Sequence, residues 1–558
     1  MPNNCHSEAK LSERQFLGTN MTADVASLGK PSSAAAFEGR TYIRKVVLSN
    51  FKRFEALTLD LDPNLNIFAG DNEVGKSTIL LAIDLALGAS RSKVETLGIE
   101  ALLRKSAIQD FLSGAKKPAD LPTLFVEVYL SDGRDPDLNG RCNSLHETAF
   151  GLRFSCEPSD DYAQEIRQVL AEKADNFPFE FYSIKFSTFA GKPYGAHRKP
   201  LRHLLIDGAQ INADYAQREY TRALYRSHAS PSVRGAQENK YRQLKDQFSR
   251  DHLTEINSKL PVQFHVRSSS KSNLETDLLV AEDGVPLEAR GRGRQSLVKT
   301  EFALGKGKGS EAIEVLLLEE PENHLSHVNM RRLLDSLRRP GGKQLFVSTH
   351  SSLVCSRLDL RNVIMMDGSG NHVTLRKLDK ATAEFFCKAS DNNALEFSMS
   401  RKVILVEGDA EFILIAALYQ ACAGSSLEND GVHVIAVGGT SFKRYLALAK
   451  VLNIRTAVVR DNDGDYQKHC VDNYADLLGD NTRIFADTDD TRKTFEICLY
   501  QDNKDACEEL FGTSRRLLSV LDWMLDNKAE AALALLEKYG TGLIVPGYLR
   551  EAMEWARN

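Results

Sequence analysis

The sequence predicts an α/β protein of two parts: a P-loop domain with mixed sheets and a helical insertion, and a C-terminal domain with a parallel, Rossmann-like sheet. Three observations carry this prediction. Residues 70–77 read GDNEVGKS, a phosphate-binding pattern that lies between a strand-like and a helix-like segment. Strand and helix patterns alternate beyond residue 400, which is typical of a parallel sheet. A polar helical segment at residues 207–261 interrupts the first part.

Composition and charge narrow the function classes. The chain has 558 residues, of which 42% are apolar and 26% charged, so ordinary folded domains are expected. A net charge of -5 gives no overall basic character, and nucleic-acid contact would therefore come from a local patch. Nine cysteines without a C-x-x-C pair argue against a zinc ribbon or a disulfide framework and favour a reducing, cytoplasmic location. No apolar run is long enough to span a membrane, and residues 1–38 lack a signal-peptide pattern and are predicted to be a flexible leader.

The phosphate-binding pattern is the first chemical motif along the chain. Residues 42–69 alternate apolar and polar residues in short runs, which predicts several strands before the loop, and a helical pattern follows it. In such a loop the backbone N–H groups point at phosphates, the lysine reaches the terminal phosphates and the next hydroxyl binds magnesium. The predicted nucleotide-binding residues of the loop are Gly70, Asn72, Gly75, Lys76, Ser77 and Thr78. The alternative is a glycine-rich turn without a ligand.

Two later segments supply the partners that a phosphate loop needs. Residues 313–327, IEVLLLEEPENHLSH, place two glutamates after an aliphatic strand: Glu319 is predicted to lie near magnesium and Glu320 to polarise the attacking water. Residues 343–352, KQLFVSTHSS, end a second buried strand at Thr349 and His350, where the histidine could contact a γ-phosphate. Taken alone, the glutamates could mark a strand that leaves the core, and the histidine could be structural. The order of loop, paired acids and histidine favours the nucleotide site.

These motifs resemble the ABC-type ATPase heads of the SMC and OLD (overcoming lysogenisation defect) proteins over residues 42–378. The resemblance implies bound ATP with one magnesium ion, sandwiched between two subunits of a homodimer or higher homo-oligomer. It also implies a signature segment. Residues 291–297, GRGRQSL, are the candidate, although Arg292 and Arg294 depart from the usual LSGGQ. Gln109, in the run SAIQDFL, is the candidate Q-loop residue.

Two further segments of the head could make contacts outside the nucleotide site. Residues 211–260 are polar with a helical pattern and no sustained heptad repeat. In OLD relatives such a lobe dimerises, and the alternative is a solvated surface hairpin. Residues 191–203 place Lys192, Arg198, Lys199 and Arg202 around Tyr194, a grouping that could follow the phosphate backbone of DNA or be a solvated face.

The C-terminal part begins after a polar connector at residues 380–399. Three segments follow, RKVILVEGDAEFILIAALYQ, VHVIAVGGTSFKRYLALAKVL and RTAVVRDNDGD, which predict strands that pair in parallel. Ligands of such sheets lie at the carboxyl ends of the strands. Acidic residues occupy the ends of the first and third strands, which are predicted to be neighbours: Glu407, Glu411, Asp461, Asp463 and Asp465. Carboxylates in this number suit Mg²⁺ or Mn²⁺, and the alternative is an uncompensated acidic loop.

This pattern resembles a Toprim domain, and a head followed by Toprim is the domain order of the OLD family. The resemblance extends to TFEICL, whose Glu496 corresponds to a later metal-binding glutamate, and to a C-terminal helix where Lys528 would steady the transition-state phosphate. Lys538 competes for that role, and either lysine could be a solvated helix residue. Two metal ions are implied. Asp461 would bridge them, Glu407 and Glu411 would complete one site, and Asp463, Asp465 and Glu496 would complete the other.

The domain order and the implied chemistry lead to one expected function. We expect an ATP-regulated, divalent-metal-dependent DNA endonuclease or nickase of OLD type. The resemblance implies a role in anti-phage defence, with a helicase or a retron reverse transcriptase and its msDNA as companions. The alternatives are an ATP-switched DNA-binding or repair-scaffold ATPase without nuclease activity, and an ATPase motor. The expected boundaries are 1–38 for the leader, 39–206 and 262–379 for the head, 207–261 for the insertion, 380–399 for the connector and 400–558 for the Toprim nuclease domain.

Overall fold

The first strand of the structure begins at Ile43. The computed structural model describes residues 40–558 except 132–134, 173–175, 196–200, 209–219, 223, 226–228, 270–271, 305–312, 339–341, 368–369, 389–392, 439–440 and 513–517. Residues 1–41 and 42–558 are separate units, and only Arg40 and Thr41 of the first are described, without regular secondary structure. The predicted leader, residues 1–38, therefore lies outside the described residues.

The described part of the chain folds into 18 strands and 21 α-helices. The strands are β1 (Ile43–Phe51), β2 (Phe54–Asp60), β3 (Leu65–Ala69), β4 (Leu124–Leu130), β5 (Asn139–Gly140), β6 (Ala149–Pro158), β7 (Tyr182–Thr188), β8 (His203–Asp207), β9 (Ala281–Glu282), β10 (Val285–Pro286), β11 (Val315–Glu319), β12 (Gln344–Thr349), β13 (Val363–Met366), β14 (His372–Thr374), β15 (Lys402–Val406), β16 (Val432–Ala436), β17 (Arg455–Val459) and β18 (Thr482–Phe485). The α-helices are α1 (Lys76–Gly88), α2 (Arg91–Leu97), α3 (Ile99–Leu102), α4 (Lys105–Ser113), α5 (Ala163–Ala171), α6 (Pro231–His252), α7 (Thr254–Asn257), α8 (Leu274–Asp277), α9 (Arg292–Ala303), α10 (His327–Leu337), α11 (Ser352–Arg357), α12 (Lys380–Lys388), α13 (Ala394–Met399), α14 (Asp409–Ala423), α15 (Leu427–Asp430), α16 (Phe442–Leu452), α17 (Phe495–Asp502), α18 (Lys504–Phe511), α19 (Val520–Asp526), α20 (Lys528–Tyr539) and α21 (Gly547–Arg557). None of the helices in the described ranges is both long and apolar enough to cross a membrane.

The first sheet of the head is antiparallel, in the order β2-β1-β4-β6-β5, with β7 also paired to β6. Strand β2 alternates buried Phe54, Leu57 and Leu59 with exposed residues, the pattern of a sheet with one solvated face. Its buried face shares a hydrophobic core with Ile79 and Leu80 of α1. This layer therefore covers the helix that follows the phosphate loop.

The second sheet of the head has the order β14-β13-β3-β12-β11-β8, and all its strands except β14 run parallel. Strands β3 and β12 are buried along their whole length, as parallel strands with both faces covered must be. The carboxyl ends of β3, β12 and β11 lie side by side because the strands are neighbours with one direction. The mixed sheets predicted for the head are confirmed, and this edge brings its three motifs together.

Gln344, the first residue of β12, joins the two sheets of the head. Its fully buried side chain accepts a hydrogen bond from Ile43 N at 2.8 Å. Its Nε2 donates to the carbonyl oxygens of Ile43 and Asp62, both at 2.8 Å. A buried amide with these partners is satisfied and fixes the position of β1 against β12.

The helical insertion contains the long helix α6. Ser230 caps it by accepting a hydrogen bond from Val233 N, and Pro231 takes the first helical position. None of its residues is buried, and Leu244 and Phe248 are 62% and 52% exposed. The helical pattern thus agrees with the structure, whereas residues 209–219, 223 and 226–228 of the predicted insertion lie outside the described residues. A dimerisation role of the lobe stays a prediction.

The connector differs from the expectation of a polar, poorly periodic segment, because it forms α12 and α13. Phe386 and Phe397 are fully buried, and both rings contact Tyr445 of α16, with ring centroids 5.1 and 5.3 Å apart. These side chains belong to one hydrophobic core that runs from the parallel sheet of the head to β15. Each of these short helices buries only three residues, so a count of polar residues along the segment does not reveal the burial. The head and the C-terminal domain therefore share a packed core and are not joined by a loose linker.

The C-terminal sheet has the order β16-β15-β17-β18, with every strand parallel. Strand β15 pairs with β17 from Lys402 opposite Arg455 to Leu405 opposite Val458. Helices α14, α20 and α21 cover it in a second core. The predicted parallel Rossmann-like sheet is confirmed, and its first and third strands are neighbours, as expected.

Candidate functional site

The phosphate loop runs from β3 to α1, and its path requires its two glycines. Gly70 has φ +147°, and a Cβ there would lie 2.5 Å from the carbonyl oxygen of Met366. Gly75 has φ +107°, and a Cβ there would lie 2.4 Å from the ring of Phe54. Helix α1 begins directly afterwards, at Lys76. The loop thus ends at a helix N-terminus, where unpaired backbone N–H groups bind anions.

The side chain of Lys76 is folded onto its own loop. Its Nζ donates hydrogen bonds to the carbonyl oxygens of Gly70 at 2.7 Å and of Asp71 at 2.6 Å. Burial lowers the pKa of Lys76, while the charges of Glu320, Asp71 and Glu322 act in the opposite direction. Charged phosphate oxygens are stronger hydrogen-bond acceptors than carbonyl oxygens. The ammonium group of Lys76 can therefore exchange its bonds to the loop carbonyls for bonds to the phosphates of a bound nucleotide.

Ser77 and Glu319 form the candidate magnesium pair of the head. The Ser77 hydroxyl donates a hydrogen bond to Glu319, which ends β11. Burial raises the pKa of Glu319, the bond from Ser77 lowers it, and Asp207 raises it further. Asp207 lies opposite Glu319 in the register of β8 and β11 and was not predicted; its signal is an acid that ends the apolar run HLLID. Asn72 is exposed and Thr78 half-buried at the same loop.

Glu320 and His350 lie together at the ends of β11 and β12. Glu320 has a left-handed φ of +43°, and its Oε2 accepts a hydrogen bond from Asn323 Nδ2 at 2.7 Å. His350 Nδ1 lies 3.7 Å from Glu320 Oε1, and 47% of the histidine side chain is exposed. The structure therefore places these two predicted residues in contact, with the histidine open to a ligand.

A third glutamate of this segment, Glu322, was missed. Its Oε1 accepts hydrogen bonds from the hydroxyl of Thr349 and from His350 N, the latter at 3.2 Å. Its Oε2 is buried without a hydrogen-bond partner among the described residues. Burial raises the pKa of Glu322, and the bond from Thr349 lowers it. The available signal was the acid two positions after the glutamate pair.

The remaining motifs of the head take up other contacts. The signature candidate begins α9, where Gln295 is buried and donates to the carbonyl oxygen of Arg290 at 2.8 Å. Arg294, in place of the second glycine, forms an ion pair with Glu282. Gln109 lies in the middle of α4 on its exposed side, so it is part of a helix and not of a loop.

The basic segment at residues 191–203 offers less to DNA than its sequence indicates. Lys192 forms an ion pair with Asp137 at 2.6 Å. The Tyr194 hydroxyl donates to the carbonyl oxygen of Ala86 at 2.6 Å, and its ring packs edge-on against Phe186. The aromatic ring is thus part of the head core and not a stacking platform. Arg198 and Lys199 lie outside the described residues, and DNA contact here stays a prediction.

The second candidate site lies at the carboxyl ends of β15 and β17. Glu407 directly follows β15, and Asp461 follows β17 after one intervening residue. Since neighbouring strands are about 5 Å apart, the register brings these two residues side by side. Glu411 is in the first turn of α14, and Glu496 is in the first turn of α17. Phe495 N donates to Asp461 Oδ1 at 2.8 Å, which ties α17 to the end of β17.

The carboxylates of this site repel one another. Burial, followed by the charges of Glu411, Glu407 and Glu496, raises the pKa of Asp461 to about 8. Burial and the neighbouring glutamates raise the pKa of Glu411 to about 7. Burial also raises the pKa of Glu407, whose Oε2 is buried without a hydrogen-bond partner in the described part of the chain. Asp461, Glu411, Glu407 and Glu496 thus form one electrostatically coupled cluster, which we call the carboxylate cluster.

Two cations flank the carboxylate cluster. Arg460 Nη2 lies 2.9 Å from Asp463 Oδ2, and Lys528 Nζ donates to Glu496 Oε2 at 3.0 Å. Burial alone would lower the pKa of Lys528, but the hydrogen bond and the charge of Glu496 raise it. Lys538 points elsewhere, to Glu509 at 2.8 Å. The structure therefore places Lys528, and not Lys538, beside the cluster.

Asp465 is the predicted ligand that the structure does not bring to the cluster. Its exposed carboxylate accepts a hydrogen bond from Lys468 N at 3.0 Å. Asp463 has a left-handed φ of +53° and is held by Arg460. Within the residues that the structure describes, no three His, Cys, Asp or Glu side chains already enclose an ion position. A cation would have to draw Asp463 and Glu496 away from their basic partners.

The donor set fits a hard divalent cation. The four members of the cluster offer carboxylate oxygens, and such ligands suit Mg²⁺ or Mn²⁺. Glu407 Oε2, which has no partner within the described ranges, is a buried acceptor that a cation would satisfy. A cation would also relieve the repulsion that raises the pKa of Asp461 and of Glu411.

Two family models match this chain, one in the head and one in the C-terminal domain. Residues 399–463 match the family model described as overcoming lysogenization defect protein-like, TOPRIM domain, and residues 45–186 match an AAA domain model. The chain is 26% identical over 161 residues to the Old nuclease of Escherichia phage P2, across 27% of this chain and 28% of that protein. It is 28% identical over 179 residues to Endonuclease GajA of Bacillus cereus (strain VD045), across 31% of each.

Among solved structures, the C-terminal region of the Burkholderia pseudomallei OLD protein is 25% identical, with a TM-score of 0.22, across 28% of this chain and 97% of that chain. The aligned parts span less than a third of the length of the two curated relatives. The two family matches, found in this order along one chain, confirm the predicted resemblance to the OLD family: an ATPase head is followed by a Toprim domain.

Proposed function

We propose that this protein is an ATP-regulated, divalent-metal-dependent DNA endonuclease or nickase of OLD type. The observation that carries the proposal is the carboxylate cluster at the ends of β15 and β17, whose Glu407 has an oxygen without a partner among the residues that the structure describes. A cluster of buried acids that repel one another destabilises a fold. A bound divalent cation would offset this repulsion, and carboxylates are ligands that suit such a cation. The names of two relatives, a nuclease and an endonuclease, support the reaction class.

Glu407, Glu411 and Asp461 would hold one ion, and Asp463 and Glu496 a second, with Asp461 shared between them. Divalent ions in such a pair activate water and neutralise charge on the phosphate that is cut. Mg²⁺ and Mn²⁺ are the proposed ions. Because Asp461 accepts a hydrogen bond from Phe495 N, its carboxylate is already oriented before any ion binds.

Two basic side chains would act on the DNA phosphate and its ligands. Lys528 lies beside Glu496 and is 49% exposed, so its ammonium group can turn to the charge that develops on phosphorus. Arg460 donates a hydrogen bond to Asp463, and this bond would break when Asp463 binds a cation. In the absence of metal and DNA, these two basic side chains thus neutralise part of the negative charge of the site.

ATP at the head is proposed as the regulator of cleavage. Lys76 and the loop N–H groups would bind the phosphates, Ser77 and Glu319 one magnesium ion, and Glu320 and His350 the γ-phosphate end. One hydrophobic core continues from Val354 of α11 through Phe397 to Tyr445. This continuous packing supports the proposal, because a close-packed core can transmit a change at the nucleotide site to the C-terminal domain.

Assembly and biological role are proposed on the family resemblance. The signature segment would act on the nucleotide of a second copy, which makes a homodimer or higher homo-oligomer the working form. A cytoplasmic role in anti-phage defence, with a helicase or a retron reverse transcriptase and its msDNA as companions, is the corresponding proposal for the cell.

Cleavage of supercoiled plasmid tests the proposal. We expect the wild-type protein to nick or linearise plasmid with Mg²⁺ or Mn²⁺ and to be inactive in EDTA. Asp461→Asn should lower the rate about a hundredfold or more, as loss of a shared metal ligand would. The matched control is Asp480→Asn, which changes an exposed aspartate of the same domain and should cut like the wild type. Equal cleavage by the wild type and Asp461→Asn would reject the nuclease and leave the ATP-switched scaffold.

The role of ATP has its own variant. Lys76→Ala should still cut plasmid, at a rate that no longer responds to ATP, because the phosphates lose their cation. A Lys76→Ala protein that cannot cut under any condition would instead indicate an ATP-driven motor.

A further inference from the structure

Glu322 occupies a position between the nucleotide loop and the turn from β12 to α11. Its side chain is only 8% exposed, although it is an acid that lies three residues beyond β11. A buried carboxylate is costly unless its oxygens are bound, and a residue of this kind at a ligand site calls for an explanation.

One oxygen of Glu322 holds the turn by three contacts. Oε1 accepts the hydroxyl hydrogen bond of Thr349 and the backbone N–H bond of His350 at 3.2 Å, and it lies 3.8 Å from His350 Nδ1. Thr349 Oγ1 accepts a bond from Ser351 N at 2.9 Å, so the whole turn is connected to this carboxylate. Bonds to a charged acceptor are stronger than neutral ones, and two of them fix both backbone and side chain.

The imidazole of His350 is placed between two acids. It lies 3.7 Å from Glu320 Oε1 on one side and 3.8 Å from Glu322 Oε1 on the other. Glu320 is also bonded to Asn323 and is the predicted water-polarising residue. The histidine is therefore held beside both carboxylates, while 47% of its side chain stays exposed to a ligand.

The second oxygen of Glu322 faces no hydrogen-bond donor in the described part of the protein. Oε2 is buried without a hydrogen-bond partner among the described residues. A buried acceptor left unpaired destabilises the fold, which indicates that the turn is complete only with a further donor present. A water of the bound nucleotide and its magnesium shell is a donor of the right kind.

We propose that Glu322 is a positioning residue of the ATPase site. Its Oε1 positions Thr349 and His350, and its Oε2 accepts a hydrogen bond from a water associated with the nucleotide. This inference rests on the proposed ATP-binding function of the head. It assigns Glu322 no contact with the phosphates and no transfer of a proton.

Steady-state ATP hydrolysis separates this role from that of Glu320. Glu322→Ala removes the acceptor and should lower kcat at least tenfold with less than a threefold change in KM, because the phosphate loop still binds the nucleotide. Glu322→Gln keeps an acceptor oxygen for Thr349 and His350 but replaces Oε2 with a donor, so its kcat should lie between those of the wild type and Glu322→Ala. Glu320→Gln should lose kcat despite the same conservative change, since its charge is what acts on water. Equal loss in Glu322→Gln and Glu320→Gln would overturn the inference, as would wild-type kcat in Glu322→Ala.

Crystal structures of the variants give a test that does not depend on turnover. In Glu322→Ala, and in Thr349→Val if the first variant fails to fold, His350 should leave its place between the two carboxylate positions. A histidine that stays in place in both variants contradicts the positioning role. If the wild type neither binds nor hydrolyses ATP, the proposed function of the head fails instead, and the displaced histidine still reports on Glu322.

Discussion

Replacing Asp461 by asparagine should make the metal-free protein more stable. The carboxylate is buried beside Glu411 and Glu407, and burial together with these charges raises its pKa to about 8. Asparagine removes the charge but keeps an oxygen that can accept the hydrogen bond from Phe495 N at 2.8 Å. The variant therefore relieves repulsion without opening a cavity or losing that bond.

The magnitude follows from linkage between protonation and folding. A carboxyl group whose folded pKa lies above its ordinary value of 3.8 keeps its proton in the folded state at pH values where the unfolded chain releases it. Stability of the wild type is therefore lost as pH rises from about 4 to about 8 and then levels off. At pH 7 the interval above 3.8, at about 1.4 kcal/mol per unit, gives an upper limit of about 4 kcal/mol. Since Glu411 shares the same protons, with a pKa of about 7, we expect about 2 kcal/mol for Asp461→Asn.

Urea unfolding in EDTA at pH 5 and pH 8 measures this effect. The gain for Asp461→Asn should be small at pH 5 and near its maximum at pH 8. Asp463→Asn is the matched control in the same loop: its carboxylate already pairs with Arg460 at 2.9 Å, so its loss should cost up to about 1 kcal/mol. With Mg²⁺ or Mn²⁺ in place of EDTA, the wild type should gain stability and Asp461→Asn should not. Equal stability of the two variants at pH 8 in EDTA would refute the reasoning.

Three further predictions concern the two halves of the chain. Gln344→Ala should destabilise the head by about 3–5 kcal/mol in urea unfolding, because it leaves one N–H and two C=O groups of the two sheets without their buried partner; a cost below 1 kcal/mol would contradict this bridge. Burial would raise the pKa of Asp84, but its histidine and lysine partners lower it to about 2, so the carboxylate stabilises the fold above pH 4 and this stability is lost as pH falls from about 4 to about 2. Asp84→Asn should cost about 2 kcal/mol at pH 7, with the deficit shrinking towards pH 2, and a deficit that does not depend on pH would speak against the ion pairs. Lys528→Ala should slow plasmid cleavage about a hundredfold while Lys538→Ala stays within about twofold, and similar rates for both would remove the special role of the first lysine.

Much of the site could be predicted because its residues lie at the ends of parallel strands. Parallel strands bring their carboxyl ends to one edge, so the acids after two neighbouring β-patterns had to meet, as Glu407 and Asp461 do. The same logic brought the phosphate loop, Glu319 and His350 together in the head. These arguments need only strand direction and order, which alternating patterns reveal.

Side-chain partners were beyond this reasoning. That Arg460 holds Asp463, or that Glu322 holds the turn after β12, depends on rotamers and on loop paths that no periodicity encodes. The packed connector was missed for a related reason: Phe386 and Phe397 are buried by α16, an element distant in sequence. Local polarity carries no information about such long-range contacts.

Anomalous diffraction from crystals soaked in Mn²⁺ tests the central claim most directly. We predict anomalous density bounded by the carboxylates of Glu407, Glu411 and Asp461, absent from crystals of Asp461→Asn. Manganese bound only elsewhere on the protein, or no density at this edge of the C-terminal sheet, would contradict the account.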